Sequence, residues 1–279
     1  MIKVENLSFS YKGMPEKMFD ALNLEIVEGR IYGLLGKNGV GKTTLLYLLS
    51  GLLFPQDGTV KADNCEVRKR LPEVLGNIFL LPDEFNLPAV SIETFLQMKA
   101  SFYPNFSREV FHRCLEAFEV EDTVALKSLS LGQKKKVLIS FALATGVKYL
   151  LMDEPTNGLD IPSKSLFRKL VAANVADNQT VLISTHQVHD VETMLDSVLI
   201  MERNHRLLNT SVEAIARRFA FEYRSQADMT DEVIYSQPSL QGNAAIVRRS
   251  ENMPETPVNI ELFFNAVNKG MIKNEEVAP

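Results

Sequence analysis

Three observations predict an α/β fold with a mixed, mainly parallel core sheet. The first is Gly36-Lys37-Asn38-Gly39-Val40-Gly41-Lys42-Thr43, a GxxxxGK(S/T) loop between the apolar run Ile31 to Leu35 and the leucine-rich Thr44 to Leu49. A strand there feeds a loop that feeds a helix. The second is a pair of nearly continuous apolar runs, Val147 to Met152 and Thr180 to Ser184, as expected for strands buried on both faces. The third is the helical stretch between them, from about Ser163 to Val175; strands alternating with helices imply right-handed parallel crossovers.

The remaining elements follow in chain order. Ile2 to Ser10 and Ala21 to Val27 alternate apolar and polar residues, which predicts half-buried antiparallel strands, the second closed by the Glu28-Gly29 turn. Pro55-Gln56-Asp57-Gly58 is a turn before a short strand at Thr59 to Ala62. From Ser91 the pattern turns helical: Ile92, Phe95, Leu96 and Met98 share one face, and a second helix, Val110 to Phe118, follows the Tyr103-Pro104-Asn105 break. Lys134 to Ala144 is a third helix, and Lys134-Lys135-Lys136 is expected to be a solvated face of it. Thr210-Ser211-Val212-Glu213 has the form of a capping box opening a helix through Arg218. Short strands at Phe219 to Tyr223, Val233 to Tyr235 and Ala245 to Val247 then lead to a helix around Asn259 to Val267, with the turn-rich Ser236 to Asn243 expected to be a mobile loop.

The 279 residues suit one large domain, or one with an appendage, and 46% hydrophobic content is ordinary for a globular chain. A net charge of −5, with Lys and Arg spread along the sequence, argues against nucleic acid as a partner, since phosphate neutralisation needs clustered cations. Cys65 and Cys114 are isolated and form neither a disulfide framework nor a zinc pattern, which fits a reducing, cytoplasmic setting. The N-terminal residues lack the apolar stretch of a signal peptide, and Val137 to Val147, the longest apolar segment, is too short to span a bilayer.

The glycine loop makes an anion site because successive backbone N–H groups converge on phosphate oxygens while the following helix presents its positive end. In such a loop Lys42 reaches the β- and γ-phosphates and the Thr43 hydroxyl ligates Mg²⁺. Tyr149-Leu150-Leu151-Met152-Asp153-Glu154 ends a strand in two acids. Asp153 suits Mg²⁺, a small hard cation that prefers oxygen and keeps part of its hydration shell. Glu154 is the candidate general base for an attacking water. His186 follows the next strand, and ligands of open parallel sheets bind beyond the carboxyl ends of strands, so a γ-phosphate contact is expected of it. Leu129-Ser130-Leu131-Gly132-Gln133 joins a hydroxyl and a glycine to a helix start; read alone it is a cap, read with the loop it is a second phosphate site.

Together these residues resemble the nucleotide-binding subunit of an ATP-binding cassette (ABC) transporter over roughly residues 1 to 215. Walker A is Gly36 to Thr43, with Thr44 beside it; the signature is Leu129 to Gln133, Walker B is Tyr149 to Glu154, the D-loop is Asn157 to Asp160 and the switch histidine is His186. The resemblance implies a P-loop NTPase with an antiparallel β subdomain, a helical insertion at about 86–145 and a small C-terminal α+β appendage: an ATPase domain over 1–219 and an extension over 220–279. It implies ATP and Mg²⁺ as cofactors and two subunits, expected as a homodimer, packed head to tail, with Ser130, Gly132 and Gln133 serving the partner's nucleotide. Tyr11 falls where the family places a ring against adenine. A separate membrane permease is implied, docked at the lid segment Pro82 to Pro88 with the helices after it, holding the chain at the inner face of the cell membrane.

Two positions depart from the family pattern. Leu131 replaces a signature glycine, a variant associated with exporter-type subunits. Asp83 replaces the lid-loop glutamine; it can still bind Mg²⁺ or its water, but adds negative charge beside the triphosphate, so slower hydrolysis or altered coupling is expected. The alternatives to an export ATPase are a soluble ABC ATPase and a nucleotide-gated scaffold of an envelope complex with low turnover.

Overall fold

The computed structural model describes residues 1–14, 16–202, 206–225, 228–250, 253–273 and 276–277. Through residue 185 the chain forms β1 (Ile2–Phe9), β2 (Phe19–Ile26), β3 (Ile31–Leu35), α1 (Lys42–Leu49), β4 (Asp57–Ala62), β5 (Cys65–Glu66), α2 (Pro72–Leu75), β6 (Ile78–Leu81), α3 (Ile92–Lys99), α4 (Arg108–Ala117), α5 (Leu131–Ala144), β7 (Tyr149–Asp153), α6 (Ile161–Asn174) and β8 (Thr180–Thr185). Then come β9 (Ser197–Met201), β10 (Leu207–Ser211), α7 (Val212–Arg218), β11 (Phe219–Arg224), β12 (Val233–Ser239), β13 (Gly242–Arg248) and α8 (Ile260–Asn268). Two compact units divide it: Met1–Ile31 with Gly41–Thr185, and Tyr32–Val40 with His186–Pro279.

In the first unit, β1 pairs antiparallel with β2 (Ile2 opposite Ile26, Phe9 opposite Phe19) and with β4 (Ile2 opposite Ala62), and β5 continues from β4. Alternation put Val4, Leu24 and Val60 on the buried face. β6, β7 and β8 form parallel pairs, Ile78 opposite Tyr149 and Tyr149 opposite Thr180. Every residue of β7 and β8 is buried, which is why these strands read as nearly continuous apolar runs. The helical insertion consists of α3, α4 and α5. Ser91 and Ser107 cap the first two, each accepting a bond from the amide three residues on. Their core is a ring cluster around Phe141, with Phe106 at 5.1 Å, Phe95 at 5.2 Å, Phe79 at 5.6 Å and Tyr103 at 5.9 Å between centroids.

In the second unit β3 runs parallel to β9 (Tyr32 opposite Ser197) and β10 lies antiparallel on β9 (Leu207 opposite Met201). Among the core strands β3–β9, β6–β7 and β7–β8 pair parallel and β9–β10 antiparallel, the mixed, mainly parallel core that was predicted. β11, β13 and β12 make a separate antiparallel sheet, on which α8 packs, the Phe219 and Phe263 rings 5.9 Å apart.

Four sequence readings need correction. Ser236 to Asn243 is not an unpaired loop but the tip of a hairpin, Ser239 pairing with Gly242. The cap of α7 is Ser211, which accepts from Ala214 N; Thr210 belongs to β10, so Glu213 sits one place too early for a capping box. Lys135 is buried, not part of a solvated face. β6, β9 and β10 went unread, although β9 is buried at every position as β7 is; β6 and β10 are short and of mixed burial.

Candidate active site

The phosphate loop spans the division between the two units. Within the second, a Cβ on Gly36 would stand 2.8 Å from Val40 Cγ2 and 3.0 Å from Met201 O, so only glycine fits there; Lys37, Asn38 and Gly39 are exposed and Val40 is buried. Within the first, Gly41 is the N-cap of α1 with φ +108°, a conformation that glycine adopts without strain. No side chain caps α1 and no acid occupies its first turn. Helix ends are usually neutralised there, so the field at this one stays positive.

The two acids at the end of β7 are built in differently. Asp153 is 1% exposed and bound by hydroxyls: Thr43 Oγ1 donates to Oδ2 at 2.7 Å, and Ser184 donates to Oδ1. Parallel pairing of β7 and β8 sets Asp153 opposite Ser184. Glu154, 7% exposed, turns away at φ +43°, a left-handed conformation that costs a non-glycine residue about 1–2 kcal/mol. Its N–H donates to Ser184 O (3.1 Å) and Ser184 Oγ (3.2 Å), which holds the turn. The Glu154 carboxylate lies 3.5 Å from Lys42 Nζ, an ion pair with both side chains under 10% exposed. Nearby, burial first and the Asp153 charge second raise the pKa of the Tyr47 hydroxyl.

Thr43 and Asp153 offer two hard oxygen donors, and no cluster of three or more His, Cys, Asp or Glu suited to a metal exists among the described residues. That sparse set fits Mg²⁺, which is commonly held by one or two protein groups plus substrate phosphates.

Asp83 does not stand as an uncompensated charge. Lys135 Nζ lies 3.1 Å from its carboxylate and 3.5 Å from its carbonyl oxygen. The Tyr11 hydroxyl is 3.0 Å from Thr44 Oγ1, with its ring edge-on to Phe9 at 5.1 Å. Ser130 and Gln133 form a reciprocal capping box at the start of α5, beside the exposed Leu131. A Cβ on Gly132 would lie 3.2 Å from Gly158 O, so the signature and D-loop backbones meet closely. Asp160 caps α6 by accepting from Ser163 N at 2.8 Å, and hydrogen bonds from the Ser163 side chain and backbone hold its carboxyl below the usual range. In the second unit His186 is exposed, its Nε2 3.4 Å from Gln187 Nε2.

Two residues that shape the site were missed. Ser184 sat inside an apolar run, and its one signal is a hydroxyl at a strand end. Lys135 was hidden in a basic triplet.

The fold and the loop define a P-loop nucleotide-binding protein of α/β class. Its family follows from comparison. The ABC transporter family model matches residues 19–157. The ABC transporter ATP-binding protein YtrB of Bacillus subtilis (strain 168) is 31% identical over 208 residues, 73% of this chain and 70% of the relative. A bacterial ABC transporter cassette solved as a dimer matches with a TM-score of 0.63 and 26% identity, over 71% of this chain and 93% of that one; the same cassette is known in a post-hydrolysis state with ADP and Pi. A putative cobalt transport ATP-binding protein shares the fold, with a TM-score of 0.66 and 24% identity, over 98% of this chain and 100% of its own. The chain belongs to the ABC transporter family, among its ATP-binding proteins.

Proposed function

We propose that the chain binds and hydrolyses ATP as the nucleotide-binding subunit of an ABC transporter, dimerising around two ATP and driving a separate membrane permease, with export as the direction. The observation that carries this reading is the pairing of Thr43 with Asp153 and of Lys42 with Glu154, two residues in the first turn of α1 against the two acids at the end of β7. Mg²⁺ held by Thr43 and Asp153 would neutralise phosphate charge and orient the γ-phosphate. Lys42 exchanges Glu154 for phosphate oxygens when ATP binds; the freed carboxylate then accepts a proton from the attacking water. The strained turn at Glu154 keeps that carboxylate on one trajectory. His186 is read as the γ-phosphate contact, and Ser130, Gly132 and Gln133 as groups for the partner subunit's nucleotide. The dimeric relative supports two subunits. Export is supported by Leu131 in the signature, and membrane attachment through a permease by the relatives' description as transporter components. No helix among the described residues is long and apolar enough to cross a membrane itself.

Steady-state hydrolysis by the purified chain tests this. Glu154→Gln is expected to lower kcat at least 100-fold while ATP still binds, and to convert monomer to ATP-dependent dimer in light scattering. An unchanged rate in Glu154→Gln would refute the assignment of the base.

A further inference from the structure

The last helix packs against the loop that carries His186. After β8 the chain enters two successive 3₁₀ turns, Val188–Asp190 and Glu192–Met194, held by bonds from Asp190 N to Gln187 O (3.2 Å), Val191 N to Val188 O (3.0 Å) and Met194 N to Val191 O (3.0 Å). Such turns have little stability of their own and take their position from what packs on them. Val188 and Val191 are the buried anchors, 4% and 0% exposed. α8 supplies a firmer partner: Asn259 caps it, accepting from Leu262 N at 2.8 Å, and six of its nine residues are buried.

α8 has two working faces. Phe263, with Val267 four residues on, faces its own sheet through Phe219. Glu261, Phe264 and Asn265 form a second stripe at helical spacing, and line a cleft of 360 Å³ whose other wall is residues 186–190, His186 included. Phe264 is 7% exposed, so this contact is built of buried apolar surface as well as polar groups. His186 to the C-terminus lies in one compact unit.

We propose that α8 is the positioning element of the His186 loop, with Phe264 as its principal side chain, so that the C-terminal extension governs turnover of bound ATP without contributing to ATP affinity. This rests on reading His186 as the γ-phosphate contact. Phe264→Ala is expected to lower kcat five- to tenfold with KM for ATP and equilibrium ATP binding changed less than twofold. Amides of Asp190, Val191 and Met194 should exchange with deuterium at least tenfold faster, and Phe264→Leu should return kcat to within twofold. In a His186→Ala background, Phe264→Ala should have no further effect, because both act through one contact. A folded Phe264→Ala protein with normal kcat, or a full additional loss in the His186→Ala background, overturns the proposal. Should Phe264→Ala fail to fold, Glu261→Ala and Asn265→Ala on the same stripe carry the test: a two- to threefold loss of kcat at constant KM supports it, and unchanged kcat in both overturns it. His186→Ala at the wild-type rate would instead overturn the underlying reading of His186.

Discussion

Asp83→Ala should destabilise the protein more than its position on a lid loop suggests, because it strands a buried cation. The Lys135 side chain is 3% exposed and that of Asp83 is 40% exposed, at 3.1 Å. Removing one member of a fully buried pair costs about 3–5 kcal/mol, whereas exposed pairs contribute about 0.2–1 kcal/mol. This pair lies between the limits, since water can enter where the Asp83 carboxylate was. The Asp83 carbonyl oxygen and the Phe85 ring, 5.8 Å from Nζ, remain after truncation. About 1.5–2.5 kcal/mol is therefore expected for Asp83→Ala, and below about 1 kcal/mol for Asp83→Asn, which keeps an acceptor oxygen. Lys135→Met removes the buried charge and leaves an exposed carboxylate, so it should cost less than Asp83→Ala, and Asp83→Ala with Lys135→Met should recover most of the loss. Guanidinium unfolding without nucleotide, read as the midpoint shift at constant slope, measures each value. Asp83→Ala within about 0.5 kcal/mol of wild type, or Lys135→Met more damaging than Asp83→Ala, would refute the argument. The hydrolysis rate of the folded Asp83→Ala protein is a separate measurement, and an unaltered rate removes Asp83 from the chemistry.

Phe141→Ala should cost about 3–5 kcal/mol by leaving a cavity among four rings, against about 1–1.5 kcal/mol for Phe141→Leu, both read from unfolding midpoints. Burial pushes the Cys114 thiol up to about 11, while Cys65 is exposed; a thiol reagent at pH 8 should therefore modify one cysteine quickly and the other only on unfolding, and equal rates would contradict the packing. Burial raises the Asp63 carboxyl, but hydrogen bonds from Lys148 and Tyr149 outweigh it and hold the pKa below the usual carboxylate range. Its contribution to stability is therefore full above the unfolded-state pKa of about 3.9 and is lost as pH falls through the lower folded value. Asp63→Asn, which tolerates the left-handed φ of +48°, should flatten the unfolding midpoint between pH 4 and 2.5.

The sequence made legible those parts whose chemistry is local. The phosphate loop needs consecutive residues, and β7 and β8 announce themselves because burial on both faces removes polar residues from them. Asp153 and Glu154 stood out as acids ending an apolar strand. Their difference in environment did not, since it depends on Ser184, thirty-one positions from Asp153 and aligned by strand register. Lys135 looked like its neighbours because its burial comes from a partner fifty-two residues away. Gln133, expected to serve the partner's nucleotide, and Asp160, placed in the D-loop, also have structural duties within this chain: Asp160 caps α6 and Gln133 completes the capping box of α5, duties visible in the Asp-x-x-Ser and Ser-x-x-Gln spacings. β6 and β10, at four and five residues, were too short to stand out by pattern alone, whereas the apolar run of β9 was legible and not used.

The Lys135 anchor also joins two places that the sequence keeps far apart. Lys135 lies on α5 five residues beyond Ser130, about 7.5 Å along one helix, so the lid carboxylate and the signature serine are fastened to the same short rod. A displacement of the segment around Asp83 is therefore passed to the capping box that opens α5 through one ion pair and less than two turns of helix.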